Sequence, residues 1–206
     1  MVTLRSLPSS PFGGKKHRMN DKIRCDWCGT DPIYTTYHDE EWGLPVRGSR
    51  ELFEKLILDG FQAGLSWITI LKRRQNFINA FDGFEPQKIA LYDEKDIIRL
   101  MNDEGIIRNK SKILSTIKNA QIYLEIENEK KGQFSEFIWS FTGGTTITNK
   151  WGSMAEVPTT SPASIAMSNA LKKLGFGFCG PTICYAFMEA VGIVNDHLTT
   201  CHKHPK

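Results

Sequence analysis

Four residues from the two ends of this chain share a chemistry. Cys25 is followed thirteen residues later by His38, and far along the chain His197 and Cys201 stand four apart. Zinc takes about four nitrogen or sulfur ligands in a tetrahedron, and residues four apart fall on one face of a helix or turn. A set drawn from both ends would clip the termini together and restrict the unfolded chain as a long-range cross-link does. Spacing alone leaves the set open. Cys25 and Cys28 form a C-x2-C pair, so Cys28 competes for a place, and His202 and His204 lie nearby. A C-x2-C pair also serves thiol redox proteins, but no strand–helix–strand pattern surrounds this one. Cys179 and Cys184 sit in apolar helical context and read as packed thiols.

A second constellation is aromatic. Trp27, Tyr34, Tyr37, Trp42 and Trp67 cluster early, with Asp59, Gln62 and Ser66 close to the last. Rings of this size commonly fill a core. Combined with a carboxylate they also make a site for a base flipped out of a duplex: faces to stack on, and an anion for a base that is cationic. A third constellation spans residues 171–182, where a helix ends at Gly175, a turn carries Gly177 and Gly180, and Pro181 and Thr182 open the next helix. A helical hairpin with a glycine C-cap has this form in many proteins. Amides at the second helix's N-terminus would favour a DNA phosphate, with Lys172 and Lys173 adding positive charge.

The elements that must position these groups read as helices. Asp31 and Pro32 open one over 33–39. Ser49 is expected to cap a second, with Leu52, Phe53, Leu56 and Ile57 at helical spacing. Further helices are expected over 66–81, from Pro86, from Asp93, and over 111–129, 134–141, 161–174 and 181–191. The Gly/Thr/Asn-rich stretch 142–151 is the least structured interior segment, with room for a short hairpin. The fold class is therefore all-α. Residues 1–20, rich in Ser, Pro, Gly and Lys, read as a disordered leader with Met19 an alternative start. Residues 21–206 read as a single domain of two helical lobes, one holding the hairpin near 171–191.

Composition excludes some classes. No apolar run approaches a membrane span, and the N-terminus lacks a secretory apolar core, so a cytoplasmic location is expected. The net charge is +3, but residues 1–24 carry +5 of it and leave −2 for the remainder. Nucleic-acid binding must then use a local basic patch.

At these residues the sequence resembles the 3-methyladenine DNA glycosylase I family, of the bacterial, constitutive type. The matching runs are Asp31-Pro-Ile-Tyr-Thr-Thr-Tyr-His-Asp-Glu-Glu-Trp-Gly43, Gln62-Ala-Gly-Leu-Ser-Trp67, Gly105-Ile-Ile-Arg108, Gly180-Pro-Thr182 and Val194-Asn-Asp-His197, and the likeness covers about residues 23–204. The resemblance implies a helix-hairpin-helix glycosylase with a structural zinc held by Cys25, His38, His197 and Cys201, and without Cys28. It implies Tyr37 and Trp67 around the methylated base, Tyr34, Trp27 and Trp42 lining the pocket, and Gln62 and Leu65 at the gap left in the DNA stack. It implies hydrolysis of the N-glycosidic bond of 3-methyladenine in double-stranded DNA. No lysine stands out as a Schiff-base nucleophile, so no strand cleavage is expected, and a monomer is expected. The family carboxylate that meets the base is usually Glu. Here Asp59 stands in its place, one methylene shorter. The family lacks the catalytic Asp of its superfamily relatives, so Asp196, beside His197, reads as structural. A non-catalytic zinc-containing DNA-binding module and a structural helical protein are the competing readings.

Overall fold

The computed structural model describes residues 22–206, so the leader expected over residues 1–20 lies outside the described residues. In chain order the helices are α1 (Pro32–Glu40), α2 (Ser49–Gln62), α3 (Trp67–Leu71), α4 (Arg74–Ala80) and α5 (Pro86–Ile89). They continue with α6 (Glu94–Asn102), α7 (Lys110–Glu129), α8 (Gln133–Ser140), α9 (Pro162–Leu174) and α10 (Pro181–Ala190). A single 3-10 turn, Asp26–Cys28, precedes α1.

Capping side chains set several starts. Asp31 accepts the Ile33 N–H ahead of Pro32, and Asp93 with Asp96, and Ser161 with Ser164, close reciprocal capping boxes on α6 and α9. Ser49 does not cap α2. It is the first helical residue, and its Oγ accepts the Ser135 N–H of α8 at 3.2 Å. The helix expected over 66–81 is broken in two. Arg73 sits at φ −104°, ψ 0°, outside the helical region. The turn it makes lets Arg74 donate to Glu41 at 2.6 Å and to Glu54 at 3.4 Å.

The 142–151 stretch forms no hairpin. Instead β1 (Ile147–Thr148) pairs in parallel with β2 (Val194–Asn195), Ile147 opposite Val194. This short pairing ties the segment before α9 to the chain that leaves α10, in an otherwise helical molecule. At the centre lies α2, packed against α3, α7, α8 and α10. Its residues are buried without a break from Leu52 to Phe61, so Glu54, Lys55 and Asp59 are inside with the apolar side chains. A helix buried on every side leaves no face for a charge to escape to, and three charges there call for a reason. Among the described residues no helix is long and apolar enough to cross a membrane.

Candidate active site and metal centre

The C-terminal end of α2 holds the candidate carboxylate, and two devices stop the helix there. Lys112, at the start of α7, donates from Nζ to the carbonyls of Phe61 and Ala63 at 2.8 and 2.7 Å. These are among the carbonyls that a helix end leaves without partners. Gly64, at φ +83°, then turns the chain into α3, whose first residue is Trp67. Asp59 and Trp67 are thereby brought to one cavity of about 200 Å³, lined also by Trp27, Tyr34, Tyr37, Trp42 and Gln62, and by Glu189 of α10. The rings pack edge to face: Trp27 to Tyr34 at 4.9 Å, Trp27 to Trp42 at 5.0 Å, and Tyr37 tilted to Trp67 at 5.4 Å. The aromatic cluster read from the sequence is a pocket wall as well as a part of the core.

Three buried polar atoms on this wall have no hydrogen-bond partner among the described residues: Trp27 Nε1, Asp59 Oδ2 and Trp67 Nε1. Buried polar groups are nearly always paired, so three of them converging on one hollow mark a place for a polar ligand. Asp59 is 2% exposed. Burial pushes its carboxyl up to about 7, and the Lys55 ammonium works against that rise. Lys55 lies one helical turn before Asp59, with its Nζ 4.8 Å from the Tyr37 ring centre and 5.6 Å from that of Trp67. It is paired with Glu41 at 3.4 Å and faces a neighbouring cavity with Arg74.

Behind Trp42 lies the cysteine–histidine group. Ligand atoms of Cys25, His38, His197 and Cys201 are all within 4.8 Å of one another, and all four residues are buried. Cys25 Sγ is 3.7 Å from His197 Nδ1, and Cys201 Sγ is 3.5 Å from His38 Nε2. Cys28, the competing candidate, lies outside this group and donates its S–H to the Cys25 carbonyl. The outer nitrogens explain which ring atom faces inward. His38 Nδ1 meets the Asp39 carboxylate at 2.9 Å, with Arg24 holding Asp39 from the other side. His197 Nε2 meets the Trp42 carbonyl at 3.2 Å. Each imidazole donates outward to an acceptor and presents a lone pair inward, as metal-ligating histidines do. Burial holds both histidines below their ordinary value, His197 down at about 4, so both are neutral at pH 7. Burial likewise pushes the Cys25 thiol up to about 12, a state a bound cation reverses. The four residues therefore fit a metal ion. The Trp42 ring, 4.6 Å from that of His197, is shared by group and pocket.

Comparison with known proteins identifies this arrangement. The family model described as methyladenine glycosylase matches residues 27–204. The chain belongs to the methyladenine glycosylase family. It is 48% identical over 182 residues to DNA-3-methyladenine glycosylase 1 of Escherichia coli (strain K12), covering 88% of this chain and 97% of that protein. A crystal structure of 3-methyladenine DNA glycosylase I superimposes with a TM-score of 0.87 at 49% identity, covering 89% of this chain and 100% of the other. A further structure, of a tyrosine-to-phenylalanine variant of such an enzyme in complex with 3-methyladenine, has a TM-score of 0.84 at 37% identity, covering 89% and 98%.

In this methyladenine glycosylase, α9 and α10 pack side by side as the two arms of the expected hairpin. Gly175 ends α9 at φ +100°, and Lys172, Lys173 and Thr182 are exposed along it. Gly177 does not offer a free amide. Its N–H donates to Asn119 Oδ1 at 2.9 Å and its carbonyl accepts from Asn119 Nδ2, so it anchors the hairpin to α7. The N–H groups of Thr182 and Ile183, in the first turn of α10, are the ones this end leaves for an anion. Gln62 is half-buried at the pocket, and Leu65 is exposed on the turn beyond it. Asp196 is buried and accepts hydrogen bonds from Asn149, Trp151 and Tyr185 at 2.6–2.9 Å, a joint between β1, β2 and α10. Of the pocket's lining, sequence reasoning missed Met154, Ala186, Glu189 and Ala190, and it missed Lys55, whose ammonium lies behind the Tyr37 and Trp67 rings; the two charged residues are the consequential ones. Each had a signal. Lys55 falls within the apolar run of α2, and Glu189 is the one charge in Pro181–Ala190.

Proposed function

We propose that this chain is a base-excision DNA glycosylase that hydrolyses the N-glycosidic bond of 3-methyladenine in double-stranded DNA. The observation that carries the reading is the convergence of Trp27 Nε1, Asp59 Oδ2 and Trp67 Nε1 on one aromatic hollow. Methylation at N3 makes adenine cationic. A cation stacked on the Trp67 ring beside Tyr37 gains ring attraction and pairs with the Asp59 carboxylate, which its charge keeps ionised. That a related enzyme is seen in complex with 3-methyladenine supports the same occupant here.

The chemistry asks little of acid or base groups. The C1′–N9 bond breaks with its electron pair moving to the base, which leaves neutral. Water then adds to the oxocarbenium-like sugar and loses a proton, giving an abasic site. Asp59, one methylene shorter than the usual Glu, binds the cationic lesion in preference to an uncharged normal base, and in the transition state it stabilises the positive charge that develops on the sugar as the base leaves neutral. Trp27, Tyr34 and Trp42 complete the walls, while Gln62 and Leu65 sit where the gap in the stack would open. Lys172, Lys173 and the amides near Gly180 and Thr182 hold the phosphate backbone without reading sequence. Lys55 is committed to Glu41, so no lysine serves as a Schiff-base nucleophile and the strand is not cut.

Cys25, His38, His197 and Cys201 would hold one zinc ion. Zinc there would supply structure, clamping the chain's ends behind the pocket. We further propose that the enzyme acts as a monomer, on DNA in the cytoplasm. The test is chromatography of the bases freed when the purified protein meets methylated DNA. Free 3-methyladenine is expected. Binding of methylated DNA without base release would replace the reading with a damage-recognition module.

A further inference from the structure

On α10, Tyr185 and Glu189 are four residues apart: Tyr185 donates to the Asp196 carboxylate, and Glu189 lines the cavity that holds Asp59. The hydrogen-bond inventory around Asp196 is one-sided. Trp151 Nε1 can only donate, and it reaches Asp196 Oδ1 at 2.9 Å. Asn149 Nδ2 donates to the same oxygen at 2.7 Å, and the Tyr185 hydroxyl donates to Oδ2 at 2.6 Å. Asp196 therefore stands as an acceptor on both oxygens. Burial first, then the nearby Asp196 charge, hold the Glu189 carboxyl well above the usual carboxylate range.

A carboxyl group keeps an acceptor oxygen whether or not it carries the proton. Glu189 lines the same cavity as Asp59. The pocket thus has two acceptors, Asp59 Oδ2 and the Glu189 carbonyl, and indole N–H donors on Trp27 and Trp67. Adenine carries an amine at C6 with two N–H donors, where guanine carries an oxygen acceptor. Two acceptors welcome the amine and repel the oxygen.

Resting on the proposed repair function, we propose that Glu189 is a second base-reading residue: with Asp59 it receives the exocyclic amine of the flipped base and selects 3-methyladenine over 3-methylguanine. The shorter side chain of Asp59 makes a second acceptor useful, because one carboxylate reaches less of the base edge.

The test compares the wild type with Glu189→Leu and Glu189→Gln on methylated DNA, reading the rates at which 3-methyladenine and 3-methylguanine are freed, with thermal midpoints measured alongside. Glu189→Leu is expected to lower the ratio of the two rates by about tenfold, the worth of one good hydrogen bond to a charged or strongly polar base. Glu189→Gln keeps an acceptor oxygen in the same place, and is expected to rescue the ratio. Equal loss of both rates in Glu189→Leu, with the ratio unchanged, would mark a structural role and overturn the proposal. Should Glu189→Leu fail to fold, the wild type decides. Its Glu189 carboxyl carbon, assigned in a carbon-13 spectrum by its absence from Glu189→Gln, must shift when free 3-methyladenine is added, and no shift refutes the contact. A wild type that frees neither base contradicts the repair function itself, and the carbon shift still reads the contact.

Discussion

Asp59 shows how much a single residue's surroundings decide. Its folded value of about 7 against an ordinary 3.8 makes its burial a cost that depends on pH. Below about pH 4 both folded and unfolded chains hold the proton and burial is electrically neutral. Between about 4 and 7 the unfolded chain ionises first, so stability falls as pH rises. Above 7 the cost is constant, on the order of 4 kcal/mol. Catalysis runs the other way, because the pocket needs the anion. We predict that kcat/KM for base release rises with pH and levels off above about 7, since that parameter reports the free enzyme. A flat pH–rate profile from 5 to 8 would take Asp59 out of the reaction. The identity of this residue was legible in the sequence, from a lone acid between apolar residues and the glycine that follows it. Its lack of a partner was not, because partners come from α1, α3 and α10, far away in the chain. Glu189 was missed for the same reason: its neighbours, Asp196 and Asp59, approach from other elements.

At the scale of elements, caps and prolines announced most helix starts, and the periodic apolar residues of α2 announced its burial. What sequence spacing did not show was the break at Lys72–Arg73. An unbroken apolar period hid it, and the deciding factor is tertiary: Arg74 turning to Glu41 and Glu54. Lys112 was equally hidden, a cation on an amphipathic helix whose place beneath two carbonyls depends on where α2 stops. Replacing it with Met removes two hydrogen bonds to a charged donor and frees the turn that joins Asp59 to Leu65 and Trp67. We expect a loss of about 2–4 kcal/mol in unfolding free energy by denaturant titration. Base release should fall by more than stability predicts. The hairpin makes a separate forecast. If Lys172 and Lys173 each meet a phosphate, changing both to Gln weakens DNA binding alike for all sequences. It also reduces the slope of log affinity against log salt by about 2. An unchanged slope would move the DNA contact elsewhere on the surface.

Across the whole molecule, the termini meet. Residues 25 and 38 from one end and 197 and 201 from the other close a loop that contains nearly all of the helices, and Trp42 links that closure to the base pocket. Spacing showed that a metal group was possible, but left Cys28 as a rival, since only the folded chain reveals which sulfur faces the two inward imidazole nitrogens. Chelation of the metal in the purified protein should lower the thermal midpoint by many degrees and, with it, base release, because long-range closure acts on the unfolded chain. Metal analysis should find about one ion per chain. Apo-protein with an unaltered midpoint would separate the group from folding.

Base release depends most on a cationic purine meeting the Asp59 carboxylate beside Trp67. Single-turnover release of 3-methyladenine from methylated DNA, measured for the wild type and for Asp59→Asn, tests this directly. Asp59→Asn should be slower by about 100-fold, the low end of what a positioned catalytic group supplies. It should unfold at the same or a higher temperature above pH 7, since a buried charge is gone. Equal rates from the two proteins would contradict the account.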